Sequence, residues 1–251
     1  MLGSIVKASR VLGLFTPLVP EWGVSDVATE LRIPKSSAHS LLDTLTETGL
    51  VRRTPRGRYR LGWRILELNR SLMLSTEFLT GRRDRIRLLA EDLGATVHIA
   101  ALRGHEVVCL DEVTASRASG RSGSRVGRPI PAHSTAMGKV LLAFTDARRQ
   151  RRVVEQHGLK RCTEYTQTEL RGLREELALT RIRGYGSNLQ ETRMDVCCVA
   201  APLRDAAGAT HAALSVSLPP AEFGREQERI RHAVLRLAAS LSGKERQADD
   251  R

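Results

Sequence analysis

Residues 50–64 carry six arginines (Arg52, Arg53, Arg56, Arg58, Arg60 and Arg64) and no acid. They lie on two strand-like runs, Leu50-Val51-Arg52-Arg53 and Arg58-Tyr59-Arg60-Leu61, around Thr54-Pro55-Arg56-Gly57, where Pro and Gly mark a tight turn. A charge run is ordinarily a solvated face. One without a carboxylate, placed directly after two short helical stripes, points to a polyanion instead. The first stripe is Val24, Val27, Ala28 and Leu31, at i, i+3, i+4 and i+7. After a break at Arg32-Ile33-Pro34, Ala38, Leu41, Leu42 and Leu45 form the second, closed by Gly49. An earlier helix runs from Ile5 to Phe15 and is stopped by Pro17 and Pro20.

Two short helices with a tight turn make a helix-turn-helix, whose second helix enters the major groove. A polar helix start would also suit any small bundle. The arginine hairpin decides for a winged helix-turn-helix whose wing lies along the DNA backbone or in the minor groove. Candidate DNA contacts are Ser25 on the first helix of the motif and Lys35, Ser36, Ser37, His39 and Ser40 at the start of the second. Arg52, Arg56, Arg58 and Tyr59 are the candidates on the hairpin.

The whole chain of 251 residues is basic, with a formal charge of +12, but the excess is spread. Basic and acidic groups number 11 and 7 in residues 1–80, 9 and 6 in 81–130, and 20 and 15 in 131–251. The footprint is therefore the hairpin, not the bulk charge. No run approaches the roughly 18–20 apolar residues of a membrane span, and the first residues show no charged leader before an apolar block. A cytoplasmic protein with no membrane partner is expected. Its four cysteines (Cys109, Cys162, Cys197, Cys198) form no C-x-x-C pair, so reduced thiols are expected.

Behind the wing, Leu61, Trp63, Ile65, Leu66, Leu68, Leu72, Met73 and Leu74 describe an apolar helix of about eighteen residues. It is either covered by its own domain or paired with a second copy of itself; pairing is favoured, because such motifs read two half-sites of a palindromic operator as a dimer. The organisation expected is a winged domain over residues 1–62, a linker helix over 63–81 and a second domain over 82–251. That domain reads as α+β: strands at 96–102, 106–111, 185–189, 195–203 and 209–218, with helices between and after them.

The segments Ser4-Ile5-Val6-Lys7-Ala8, Ile33 to Leu42, Gly49-Leu50-Val51 and Gly57 to Gly62 resemble the isocitrate lyase regulator (IclR) family of bacterial transcription factors in order and spacing. The likeness continues through Gly123 to Lys139, Gly184-Tyr185, Cys198 to Leu203 and Ala213 to Ser217. It implies a GAF-like effector-binding domain and a homodimer or dimer of dimers, repressor more than activator. It also implies an effector pocket at Ala136, Met137, Asn188, Cys198, Ser215 and Ser217. Three positions depart from the family: Ser40 where an arginine is usual, Asn188 where several relatives carry an acid, and Met137 where a small residue is usual. A neutral amide and an adaptable thioether suit a small organic effector, aromatic or carboxylate.

Rival functions find less support. An enzyme would need Cys198 or Cys197 with His133 or His98, yet no nucleophile motif surrounds them. A metal sensor would need His98, His105 and His133 to converge without any i, i+4 ligand spacing. An architectural nucleic-acid protein would leave the second domain idle. No cofactor, metal or catalytic residue is expected.

Overall fold

The computed structural model describes residues 3–75, 82–118 and 126–242. The chain divides into two compact units, Met1–Thr80 and Gly81–Arg251.

In the first unit, α1 (Gly3–Leu14), α2 (Val24–Leu31) and α3 (Lys35–Glu47) precede a hairpin of β1 (Val51–Arg53) and β2 (Tyr59–Leu61). Val11, Val27, Leu42, Val51 and Tyr59 make its core, each 1% exposed or less. The segment before α2 adds a third strand-like layer, since Trp22 and Tyr59 exchange both backbone bonds at 3.0 and 2.8 Å. Gly49 turns left-handed (φ 73°) past α3, and the chain then passes Gly62, where an added Cβ would run into the Gly49 carbonyl. That close approach launches α4 (Arg64–Ser75) directly from the wing. Within this unit the apolar helix is uncovered: Trp63 is 70% exposed, and Leu66 and Leu72 are 59% exposed. The further residues read as linker, 76–81, lie outside the described ones.

The second unit holds α5 (Arg83–Leu93), β3 (Thr96–Arg103), β4 (Glu106–Thr114), β5 (Pro129–Ile130), α6 (Ala136–Ala143), α7 (Ala147–His157), α8 (Leu170–Arg183), β6 (Gly186–Leu189), β7 (Cys197–Arg204), β8 (Thr210–Leu218) and α9 (Pro220–Leu241). Its six strands form one antiparallel sheet in the order β5-β4-β3-β8-β7-β6. Sequence periodicity misses β5, because two residues show no alternation. Every residue of α6 is buried. Thr135 caps its start, accepting from the Gly138 N–H at 3.2 Å.

α6 also carries Lys139, only 3% exposed, into the core. Its Nζ lies 2.6 Å from Glu191 Oε1 and 3.8 Å from Glu176 Oε1, and it donates to the Ser187 carbonyl at 3.1 Å. Burial pushes the Glu191 carboxyl up, and the ammonium beside it opposes that. Nearby, burial lowers the His133 imidazole, opposed by its contact with the Lys160 carbonyl at 3.0 Å and reinforced by the Lys139 charge.

Removing one partner of a buried pair strands the other charge. Lys139→Met should therefore cost about 3–5 kcal/mol, read as a lowered unfolding midpoint of the full chain in urea. A second outcome concerns acid. Unfolded chain protonates His133 near pH 6.5, whereas the folded imidazole resists until lower pH. Its contribution to stability is complete above that pH and is lost as pH falls through the lowered value. The melting temperature should drop between pH 7 and pH 5, and drop less in His133→Gln.

Candidate nucleic-acid interface and ligand cavity

At the start of α3, Lys35, Ser36, His39 and Ser40 are exposed and Ser37 is half-buried. Pro34 precedes them without a side-chain cap, which leaves the first-turn N–H groups open to an acceptor such as phosphate. His39 is held by Asp43 one turn on, Nδ1 to Oδ2 2.7 Å, so its ring direction is set before any ligand arrives. Ser25 is exposed on α2.

In the wing, Arg56 stands exposed on a turn closed by the Gly57 N–H donating to the Thr54 carbonyl at 2.9 Å. The Arg52 guanidinium lies over the Trp63 ring at 5.4 Å. Two candidates change role. Tyr59 is not a surface contact but a core residue, 1% exposed, with its hydroxyl 3.4 Å from Asp43 Oδ1. Arg58 is turned onto the protein itself: it pairs with Asp26 Oδ2 at 2.9 Å and donates to the Glu21 carbonyl at 3.2 Å. Arg60 reaches Glu21 Oε1 at 2.5 Å. The alternation of strand side chains explains all three, since Tyr59 must face opposite to its two arginine neighbours. That alternation was a readable signal; the carboxylates of Glu21 and Asp26, brought alongside by the Trp22–Tyr59 bridge, were not. Arg53, the cross-strand partner of Tyr59 and 6.0 Å from its ring, is a further exposed arginine that the candidate set lacks.

In the second unit, Ala136, Met137, Asn188, Cys198, Ser215 and Ser217 line one cavity of about 100 Å³. Sheet register assembles it. Thr114, Thr96, Ser217, Cys198 and Asn188 are successive cross-strand partners, and Glu112, His98 and Ser215 form the next row but one on the same face. Hydrogen bonds run along and between the rows. Glu112 Oε2 is 3.3 Å from His98 Nε2, and His98 Nδ1 is 3.3 Å from Ser217 Oγ. Ser217 Oγ is 3.3 Å from Cys198 Sγ, which in turn lies 3.8 Å from Asn188 Nδ2. Asn188 also donates to Thr192 Oγ1 at 3.2 Å, and Thr192 donates to the Ser134 carbonyl at 2.6 Å. The sequence pattern missed His98, Thr192 and the rim pair Arg193–Asp195, whose Nε and Oδ1 are 2.8 Å apart. His98 became legible only once β3 was known to pair with β8. Cys197, the neighbouring thiol, does not line this cavity. His98 lies here, whereas His105 and His133 line a different cavity. Among the described residues no three His, Cys, Asp or Glu side chains are grouped to hold a metal.

Comparison with known proteins places this geometry. The family description "IclR helix-turn-helix domain" matches residues 4–55, and "Bacterial transcriptional regulator IclR C-terminal" matches residues 74–243. The HTH-type transcriptional regulator XynR of Escherichia coli (strain K12) is 30% identical over 247 residues, covering 96% of this chain and 98% of that protein. The transcriptional repressor IclR of the same organism is 29% identical over 223 residues, covering 86% and 81%. Among solved structures, an IclR homolog from Microbacterium hydrocarbonoxydans complexed with 4-hydroxybenzoate superposes with a TM-score of 0.77 at 25% identity, covering 95% of this chain and 97% of that one. The winged first unit and the α+β second unit are each accounted for, and the chain belongs to the IclR family of bacterial transcriptional regulators.

Proposed function

We propose that this regulator binds a palindromic operator as a homodimer, alone or as a dimer of dimers, and releases it in response to a small organic molecule in the cavity at Ser217. The observation that carries the reading is the pairing of two separate features in one chain: an open basic wing beside a polar helix start, and a cavity floored by a hydrogen-bonding row. Lys35, Ser36, Ser37, His39 and Ser40 reach bases and phosphates, and Ser25 approaches the backbone from α2. Arg52 and Arg56, with Arg53 now added, track the wing's groove. The uncovered leucines of α4 pair with the same helix of a second copy and set the half-site spacing. Repression is the favoured outcome, as in the relative named a transcriptional repressor. No helix among the described residues is long and apolar enough to cross a membrane, in keeping with a cytoplasmic regulator.

The cavity, of about 100 Å³, is small and is lined by both apolar and polar groups. It suits a small metabolite, aromatic or carboxylate; the homolog with 4-hydroxybenzoate supports the aromatic acid. Glu112, His98 and Ser217 follow the order of a carboxylate, a base and a hydroxyl, but both links are 3.3 Å and Ser217 is shared with Cys198. We read the set as ligand recognition rather than catalysis. Effector and DNA then bias one equilibrium between dimer arrangements, each changing the other's affinity by the same factor.

Two measurements test this. In a salt titration of operator binding, Arg56→Ala should reduce the slope by about one charge and weaken binding to all sequences alike. Arg58→Ala should change the slope less and lower the melting temperature of the first unit, because its charge is already opposed by Asp26 and Glu21. Parent-like binding by Arg56→Ala at every salt concentration rejects the wing. Mobility shift with 4-hydroxybenzoate and small carboxylates should show ligand-dependent release, weakened about tenfold in Ser217→Ala, the worth of one hydrogen bond of about 1.4 kcal/mol. Weak sequence preference with no ligand response across both panels would mark an architectural protein instead.

A further inference from the structure

A second cavity, of about 250 Å³, lies on the other side of Ile130, a residue that lines both. Val107, Leu142, Val153 and Leu159 give it an apolar wall. Among its polar lining residues are His105, His133, His157, Lys160 and Cys162. Glu106, the acid among its described lining residues, is engaged by Arg103 at 2.7 Å. One group is conspicuous. His105 Nδ1 is buried and finds no hydrogen-bond partner, an arrangement that folded proteins seldom tolerate without a ligand or water to satisfy it. The hairpin tip that carries His105 is held, because Arg149 of α7 donates to the Leu102 and Gly104 carbonyls at 3.2 and 3.0 Å. An apolar wall with a few convergent polar groups is the usual make-up of a small-molecule site.

We propose that this cavity is a second ligand site, for a small monoanion with an apolar body: an aromatic or branched aliphatic carboxylate whose acid group meets His105. A cavity of about 250 Å³ leaves room for a benzoate-sized molecule. His133, which lines this cavity, stands two residues before Thr135, the cap of α6 that lines the first. A ligand here therefore presses on the segment that shapes the effector cavity. The proposal does not depend on what the first cavity binds.

Fluorine NMR of 4-fluorobenzoate with the full-length chain tests it. One bound signal should persist in Ser217→Leu, which alters the first cavity, and its affinity should fall at least fivefold in His105→Leu and in Leu159→Trp. His105 and Leu159 are only partly buried, so both variants should melt like the parent. No bound probe at millimolar concentration overturns the proposal. So does a single site abolished by Ser217→Leu, or an affinity unchanged in both His105→Leu and Leu159→Trp. Absence of any signal that depends on Ser217 would instead count against the aromatic-acid reading of the first cavity, leaving this proposal standing.

Discussion

A β-strand turns successive side chains to opposite faces, and both units of this regulator are organised by that rule. In the wing it sends Tyr59 into the core while Arg58 and Arg60 face outward onto Glu21 and Asp26. In the larger sheet it sends Thr96, His98, Ser215 and Ser217 to one side, where antiparallel register lines them up with Asn188, Cys198 and Glu112. A shift of one residue in the wing would expose Tyr59, and one in the larger sheet would turn the polar set away from the cavity and put the apolar set in its place. The exposed basic wing and the cavity in the larger sheet are thus products of register as much as of residue type.

The polar face of the sheet needs a cover, and α6 supplies it. The helix is buried on all sides, which would ordinarily call for an entirely apolar sequence. Lys139 breaks that expectation by meeting Glu191, Glu176 and the Ser187 carbonyl inside the protein. An ion pair of this kind adds little to net stability but fixes one arrangement, because any other leaves a charge stranded. It ties α6 to α8 and to the loop after β6, the elements that carry Glu176 and Glu191.

Much of this was legible beforehand. The helices of the motif, the hairpin and the longer strands follow from periodicity and turn residues; their bounds in the structure lie within a few residues of the pattern. The six effector-pocket positions implied by family likeness line one cavity. What stayed hidden depended on contacts distant in sequence. Arg58 looks like a phosphate ligand until Asp26, 32 residues earlier, is seen against it. His98 looks like an isolated histidine until β8, more than a hundred residues later, is paired alongside. β5 is too short to announce itself, and His105 reads as a turn residue until α7 folds over it.

Two glycines lie close in sequence to residues that line the cavity at Ser217, Gly138 next to Met137 and Gly186 two before Asn188. A methyl on Gly138 would strike the Ala132 backbone, and one on Gly186 would come within 2.9 Å of the Ala136 carbonyl. Positions 138 and 186 thus admit almost no variation, while Met137 and Asn188 beside them line the cavity, and Asn188 also accepts from the Glu191 N–H at 2.8 Å. Through Asn188 the cavity wall is coupled to Glu191, the partner of Lys139, so a change of side chain at position 188 is felt at the anchor of α6 as well as in the cavity.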